Sequence, residues 1–363
     1  MTTTMKSADP VIHIDGNTVG EGHPVYFIAD IAANHDGSIN LAKELIYRAK
    51  EAGADAAKFQ HFRAEHIVSD VGFKMLGDKK SHQEQWSKSV FQVYQDASIS
   101  RDWTQVLQDT CRDAEIAFFT SPYDIETVDY IDPFVPAFKV GSGDITWIEI
   151  IHHIASKQKP YIIATGASST DDVFRAVSAG LSVNSQLAVL QCNTNYTGSL
   201  ENLKFVQLNV LRTFREMFPR MILGLSDHTP GHATVLGAVA LGGKIIEKHF
   251  TLDTTRVGPD HRFSMDPRSW RDMVERTREL EAALGGIIKK IEENELETAI
   301  LQRRSIRVRR PLNARHRIMP SDLIMLRPCP EDGIPPYKVD EIIGKILSRD
   351  IEAGKHLRTS DFE

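Results

Sequence analysis

The sequence predicts a (β/α)₈ barrel followed by a small, turn-rich appendage, and three observations carry that prediction. Eight short apolar, β-branched runs recur along the chain, helix-period segments separate them, and polar residues gather where each run ends. The runs are VYFIADIA (25–32), AAKFQHF (56–62), AFFTSPY (117–123), AFKVGSG (137–143), YIIATGA (161–167), LAVLQCN (187–193), ILGLSDH (222–228) and IIEKHFT (245–251). Between them lie amphipathic stretches such as SINLAKELIYRAKEAG, in which Leu41, Leu45, Ile46 and Ala49 share a face, and SRDWTQVLQDTCRDAE, which Ser100 is placed to cap. Strand and helix alternating eight times over about 250 residues is the pattern of a barrel. An open doubly wound sheet would show a glycine-rich phosphate loop after its first strand, and ADIAANHDG is not one.

Composition sets the class of molecule. With 363 residues, 41% hydrophobic and 25% charged, the chain is long enough for a barrel and a second module and reads as an ordinary globular protein. A net charge of -6 argues against nucleic acid as a partner. Cys111, Cys192 and Cys329 lie far apart with no CxxC pair, which excludes a disulfide framework and points to a reducing cytoplasm. The opening MTTTMKSADP has no apolar signal core, and no run approaches the ~18 residues of a membrane span, so no membrane association is expected.

In a barrel the chemistry sits at the C-terminal ends of the strands. Asp30, Asn34 and His35 follow the first run. Lys58 and Gln60 end the second, Ser121 and Tyr123 the third; Lys139, Ser142 and Asp144 come from the fourth, Thr165 from the fifth, Asn193 and Tyr196 from the sixth. His228 ends the seventh and His249 the eighth. Adjacent parallel strands lie about 4.8 Å apart, so these two imidazoles can converge on one divalent metal with open positions for water and substrate oxygens. Glu247, two residues before His249, points to the same side of its strand. The plainer reading makes each histidine a satisfied polar residue at a strand end.

Lys58 and Lys139 sit inside apolar runs, where an unpaired ammonium is costly, so each must face a carboxylate or a bound anion. KVGSGD, with its lysine, serine hydroxyl and freed backbone amides, suits a phosphate, and Ser121 and Ser226 add hydroxyls from other strand ends. Alternatives are a purely structural pairing of Lys139 with Asp144, and a Schiff-base lysine of depressed pKa.

IAANHDGS, KFQ, TSPYD, FKVGSGD, GLSDHT, GAVALGG, EKHFT and GPDHRFSMDP, in this order, resemble the sialic acid synthase family. The resemblance implies a metal-dependent enzyme that condenses phosphoenolpyruvate with N-acetylmannosamine or a related aldose. It also implies a small C-terminal domain of the antifreeze-like (SAF) type. By that likeness His228 and His249 bind manganese or magnesium. Lys58, Lys139, Ser121, Ser142 and Ser226 surround phosphoenolpyruvate, while Gln60, Tyr196 and Asp260 contact the sugar. Arg327, in LRP, reaches the partner's site in a homodimer whose SAF domain caps the neighbouring barrel. Glu247 stands with the substrate-binding set, and Asp30, Lys58 and Lys139 with the catalytic one. The chain departs from the family's pattern at Asp30, where EIGxNH has glutamate, at Ala164, where a serine is common, and at Thr194, near a phosphate-side asparagine position. Related enzymes making legionaminic, pseudaminic or shorter ulosonic acids stand as alternatives.

The expected domains are a catalytic barrel at 1–285, a linker at 286–303 and the SAF domain at 304–363. Helix-period sequence runs from Pro267 to about Ile300, enough for some 45 Å if it formed one straight helix. Beyond it, RPLNARHRIMPSDL (310–323) and RDIEAGKHLRTSDF (349–362) match in pattern and suggest two related arms in one module.

Overall fold

The computed structural model describes residues 10–76, 86 and 88–363. The chain divides into two compact units, one ending at Gly285 and one spanning Gly286–Glu363.

The first unit opens with a hairpin, β1 (Val11–Ile14) and β2 (Asn17–Gly20), that the periodicity did not announce. Its signal was Asp15-Gly16: both residues have positive φ, +48° and +80°, the geometry of the tight hairpin turn that Asp-Gly favours. The barrel strands follow as β3 (Tyr26–Asp30), β4 (Ala56–His61), β5 (Ala117–Pro122), β6 (Phe138–Val140), β7 (Tyr161–Ala164), β8 (Leu187–Cys192), β9 (Ile222–Asp227) and β10 (Ile245–His249). They close in sequence order, β10 pairing β3, with every neighbour parallel. All eight expected runs are strands.

Period-two alternation divides each strand between two apolar layers. Ile28, Phe119, Ile162, Leu190, Ile222 and Ile245 fill the barrel, joined by Ile12, Ile14 and Val19 from the hairpin. Phe27, Phe59, Val189, Leu223, Leu225 and Ile246 face the helices. Gly224 points inward, where any Cβ would collide with the Ile245 carbonyl and Leu190, so the interior admits only glycine there. The helix Ile39–Glu51 is capped by Ser38 and buries Ala42, Leu45, Ile46 and Ala49; Ser100 caps Arg101–Asp113, as its position suggested.

The long helix expected after Pro267 is shorter than the periodicity implied. Pro267–Leu284 ends at Gly285, whose φ of +54° breaks the ladder, and a separate helix occupies Leu296–Gln302. Among the described residues no helix is long and apolar enough to cross a membrane.

The second unit packs β11 (Ser305–Val308) antiparallel to β12 (Leu323–Leu326) around Ile306, Val308, Ile318, Leu347 and Leu357. Its matched arms are structurally equivalent. Arg310 donates to Asp322 Oδ1 (2.9 Å) as Arg349 does to Asp361 Oδ1 (2.7 Å). Met319 N donates to Asp322 Oδ2 (3.0 Å) as Arg358 N does to Asp361 Oδ2 (2.8 Å). Leu312 and Ile351 exchange backbone bonds, so the two arms meet about a pseudo-twofold axis.

Candidate active site

The C-terminal mouth of the barrel opens into a cavity of about 350 Å³, lined by Asp30, Lys58, Gln60, Lys139, Ser142, Tyr196, Ser226, His228, Glu247, His249 and Asp260. The strand ends nominated from sequence therefore meet in one place. Of the residues nominated at the strand ends, Asn34, His35, Ser121, Thr165 and Asn193 do not line it. Ser121 is buried at the end of β5, opposite Gln60 in register, with its Oγ lacking a partner among the described residues. Arg327 lies exposed in the second unit.

Glu247 is the hub of the site's charges. Its Oε1 lies 3.5 Å from Lys58 Nζ and 3.3 Å from Lys139 Nζ, and accepts from Ser226 Oγ at 3.2 Å. Lys58 pairs also with Asp30 Oδ2 at 2.7 Å. All four ionic side chains are at most 5% exposed. Burial disfavours the Glu247 carboxylate, but Lys139 and Lys58 overcome it and hold its pKa down at about 2. Burial likewise works against the Lys58 ammonium, which Asp30 and Glu247 nevertheless keep above its ordinary value. Lys139 is lowered, because burial and repulsion from Lys58 outweigh its attraction to Glu247. Asp30 is raised by burial against the pull of Lys58, and its Oδ1 accepts from Ala32 N at 3.1 Å. The structural pairing of Lys139 with Asp144 does not form: the partner comes from across the barrel, on β10.

The two histidines stand side by side, ring centroids 5.3 Å apart, against Tyr196 and Phe263. His228 Nδ1 donates to the Asn193 carbonyl at 2.9 Å, which leaves Nε2 with its lone pair. His249 Nδ1 is buried with no partner among the described residues, and its Nε2 lies 3.6 Å from Asp30 Oδ2. Burial pushes both pKa values down to about 3, with mutual repulsion adding at His228 and the Lys58 charge at His249. Both rings are thus neutral at pH 7, the state in which imidazole binds a metal. No group of three or more His, Cys, Asp or Glu assembles a metal cage among the described residues. The fit is to a cation with two protein ligands and its other positions open.

Sequence reasoning did not single out several wall residues. Tyr94 comes from the helix Val90–Ala97, inside the long connection from β4 to β5, whose length was the available signal. Cys192 lines the wall with Ser142, whose Oγ accepts from Gly166 N at 3.0 Å. A Cβ on Gly166 would meet Ser142 Oγ at 2.9 Å and Cys192 Sγ at 3.1 Å and collide with Thr194, so that turn admits only glycine. Asp144 lines the cavity without an ion pair among the described residues, and burial raises its pKa to about 6.

Asp260 supplies a pH test. Burial raises its carboxyl to about 7, against the lowering effect of the Ala33 N–H that donates to Oδ2 at 3.0 Å. An unfolded aspartate releases its proton near about 4. The folded state therefore holds an extra proton between those values, and stability is lost as pH rises through that window. Asp260→Asn retains an acceptor for Ala33. It is expected to melt higher than the parent at pH 8, with the gap shrinking at pH 5. A gap independent of pH in thermal melts would contradict the buried, proton-holding carboxyl.

Comparison with known proteins agrees with this architecture. Residues 45–289 match the NeuB family model and residues 303–363 the SAF domain model. The chain is 36% identical to the N,N'-diacetyllegionaminic acid synthase of Legionella pneumophila, over 93% of this chain and 94% of that protein. It is 32% identical to the N-acetylneuraminate-9-phosphate synthase of Homo sapiens, over 91% and 90%. Its structure resembles the N-acetylneuraminic acid synthetase of Leptospira borgpetersenii with a TM-score of 0.70 and 26% identity, covering 80% of this chain and 95% of that one. A closed barrel bearing the expected motifs, a C-terminal SAF domain and relatives matched nearly end to end place this chain in the NeuB family of sialic acid synthases.

Proposed function

We propose that this enzyme condenses phosphoenolpyruvate with N-acetylmannosamine or a related acetamido aldose, and water, to give a nine-carbon 2-keto-3-deoxy acid and phosphate. The observation that carries this reading is the convergence of two buried lysines, from β4 and β6, and two neutral histidines on one cavity. An anion and a cation then share one mouth. A divalent ion, Mn²⁺ or Mg²⁺, would be held by His228 and His249, and when bound it supplies Lewis-acid polarisation of the aldose carbonyl oxygen.

The chain's own groups do the rest. Lys58 and Lys139 neutralise the carboxylate and phosphate of phosphoenolpyruvate, with Ser142, Ser226 and the backbone around Gly141 and Gly143 cradling the phosphate. Gln60, Tyr196 and Asp260 orient the open-chain sugar so that C3 of phosphoenolpyruvate reaches its carbonyl carbon. As the C3–C1 bond forms, the sugar carbonyl oxygen takes up negative charge as an alkoxide and C2 turns oxocarbenium-like. Water adds at C2 and gives up a proton, which Asp30, with its raised pKa, is suited to accept and pass to that alkoxide to give the hydroxyl. The remaining hydroxyl proton goes to the departing phosphate as the C2–O bond breaks, leaving the ketone and hydrogen phosphate beside Lys139. Lys139→Ala is expected to raise KM for phosphoenolpyruvate at least tenfold more than KM for the aldose; equal effects in steady-state kinetics would count against the phosphate cradle.

One observation favours a second reading, a Schiff-base aldolase: Lys139 has the lowered pKa that imine chemistry needs. That reading leaves the paired histidines without a role. We further propose, on the family resemblance, that two chains pair and that Arg327 of each completes the sugar site of the other.

A further inference from the structure

Lys248 and Asp227 form a buried ion pair that the chemistry above does not use. They are register neighbours on β10 and β9, 1% and 3% exposed. Alternation turns both away from the cavity, into the layer where Leu225, Ile246, Val235 and Ala238 pack. Lys248 Nζ donates to Asp227 Oδ2 at 2.5 Å and to the Thr229 carbonyl at 2.6 Å. Asp227 also accepts from Thr229 N (3.1 Å), from Thr229 Oγ1 (2.9 Å) and, at 2.7 Å, from Thr234 Oγ1 on the helix Ala233–Ala240. Desolvating two charges in such a layer contributes no more stability than an apolar pair of the same size, so stability is not a sufficient reason for it.

The placement supplies a reason. Asp227 immediately precedes His228, Thr229 immediately follows it, and Lys248 immediately precedes His249. His228 lies one residue beyond the end of β9, where ladder bonds no longer hold the chain. From the strand that carries one histidine, Lys248 therefore grips the residues on both sides of the other. We propose that Lys248, Asp227, Thr229 and Thr234 form a positioning clamp that sets the spacing of His228 and His249 for a divalent cation. The inference rests on the metal reading of those two histidines.

The test is a calorimetric titration of metal-free protein with Mn²⁺, run well below the melting temperature. In the Asp227→Asn/Lys248→Met double variant both charges are gone at nearly unchanged volume. Its Mn²⁺ affinity is expected to fall about 10- to 100-fold, the usual cost of losing groups that orient metal ligands, while its melting temperature holds or rises. A purely structural pair would lower the melting temperature and leave the affinity alone. Thr234→Val removes one donor to Asp227 without uncovering a charge, and is expected to weaken Mn²⁺ binding in the same direction; it carries the test if the double variant does not fold. His228→Ala separates the clamp from its premise. If His228→Ala abolishes Mn²⁺ binding while both clamp variants stay within twofold of the parent, the clamp is overturned. If His228→Ala binds Mn²⁺ like the parent, the metal reading itself falls.

Discussion

Replacing either histidine, as His228→Ala or His249→Ala, is expected to lower turnover about 10³-fold while the melting temperature moves by only a few degrees. The magnitude follows from the role. A Lewis acid contributes several kcal/mol to the developing negative charge, and about 4 kcal/mol corresponds to three powers of ten in rate. The modest effect on folding follows from position. Both rings sit at strand ends on the cavity side, outside the two apolar layers that hold the barrel together. At His249 truncation also removes a desolvated ring whose Nδ1 has no partner among the described residues, while at His228 it costs one hydrogen bond to the Asn193 carbonyl. Phosphate-release kinetics, metal content and thermal melts check the three parts. Turnover close to the parent's in a metal-depleted His228→Ala/His249→Ala variant would contradict the account.

The second large effect is recovery of activity on mixing two impaired chains. If Arg327 completes the neighbour's sugar site, Arg327→Ala and His228→Ala protomers each fail alone, for different reasons. After random exchange of equal amounts, half of the dimers are mixed in a twofold-symmetric assembly. In each mixed dimer one site combines the intact barrel of one chain with the intact arginine of the other, and the second site carries both defects. Activity is therefore expected to return to about a quarter of the parent's per site. Exchange demonstrated with differently tagged chains, without recovery, would remove the shared site.

The barrel was legible because its signal is redundant. Each strand announces itself by β-branched burial, each helix by a period and often a cap, and each site residue by being polar where a strand ends. Asp30, Lys58, Lys139, His228 and His249 could be placed at one mouth on those grounds alone. Which groups pair is a different matter, since it depends on how far around the barrel two side chains reach. Asp144 is near Lys139 in sequence, yet Glu247, over a hundred residues away, takes the ion pair because alternation on β10 aims it across the interior. Tyr94 and Cys192 were missed for a similar reason: neither breaks an apolar pattern, and only closure of the barrel puts them on the cavity wall. The break at Gly285 shows the opposite failure, a helical period continuing past a residue whose positive φ ends the helix. In the second unit the repeated Ser-Asp motif carried real structure, because each aspartate caps its own turn and binds its own arginine.

The central claim is that this mouth joins phosphoenolpyruvate to an aldose with a metal's help and without an imine. A phosphate-release assay with phosphoenolpyruvate against a panel of aldoses, run with and without chelator, tests it most directly when each reaction is also quenched with borohydride. The account predicts phosphate released in step with a nine-carbon keto acid from an acetamido aldose. It predicts that chelator abolishes that release and that Mn²⁺ or Mg²⁺ restores it, with no pyruvate fixed to the protein. Chelator-resistant turnover with pyruvate trapped on Lys139 would contradict it.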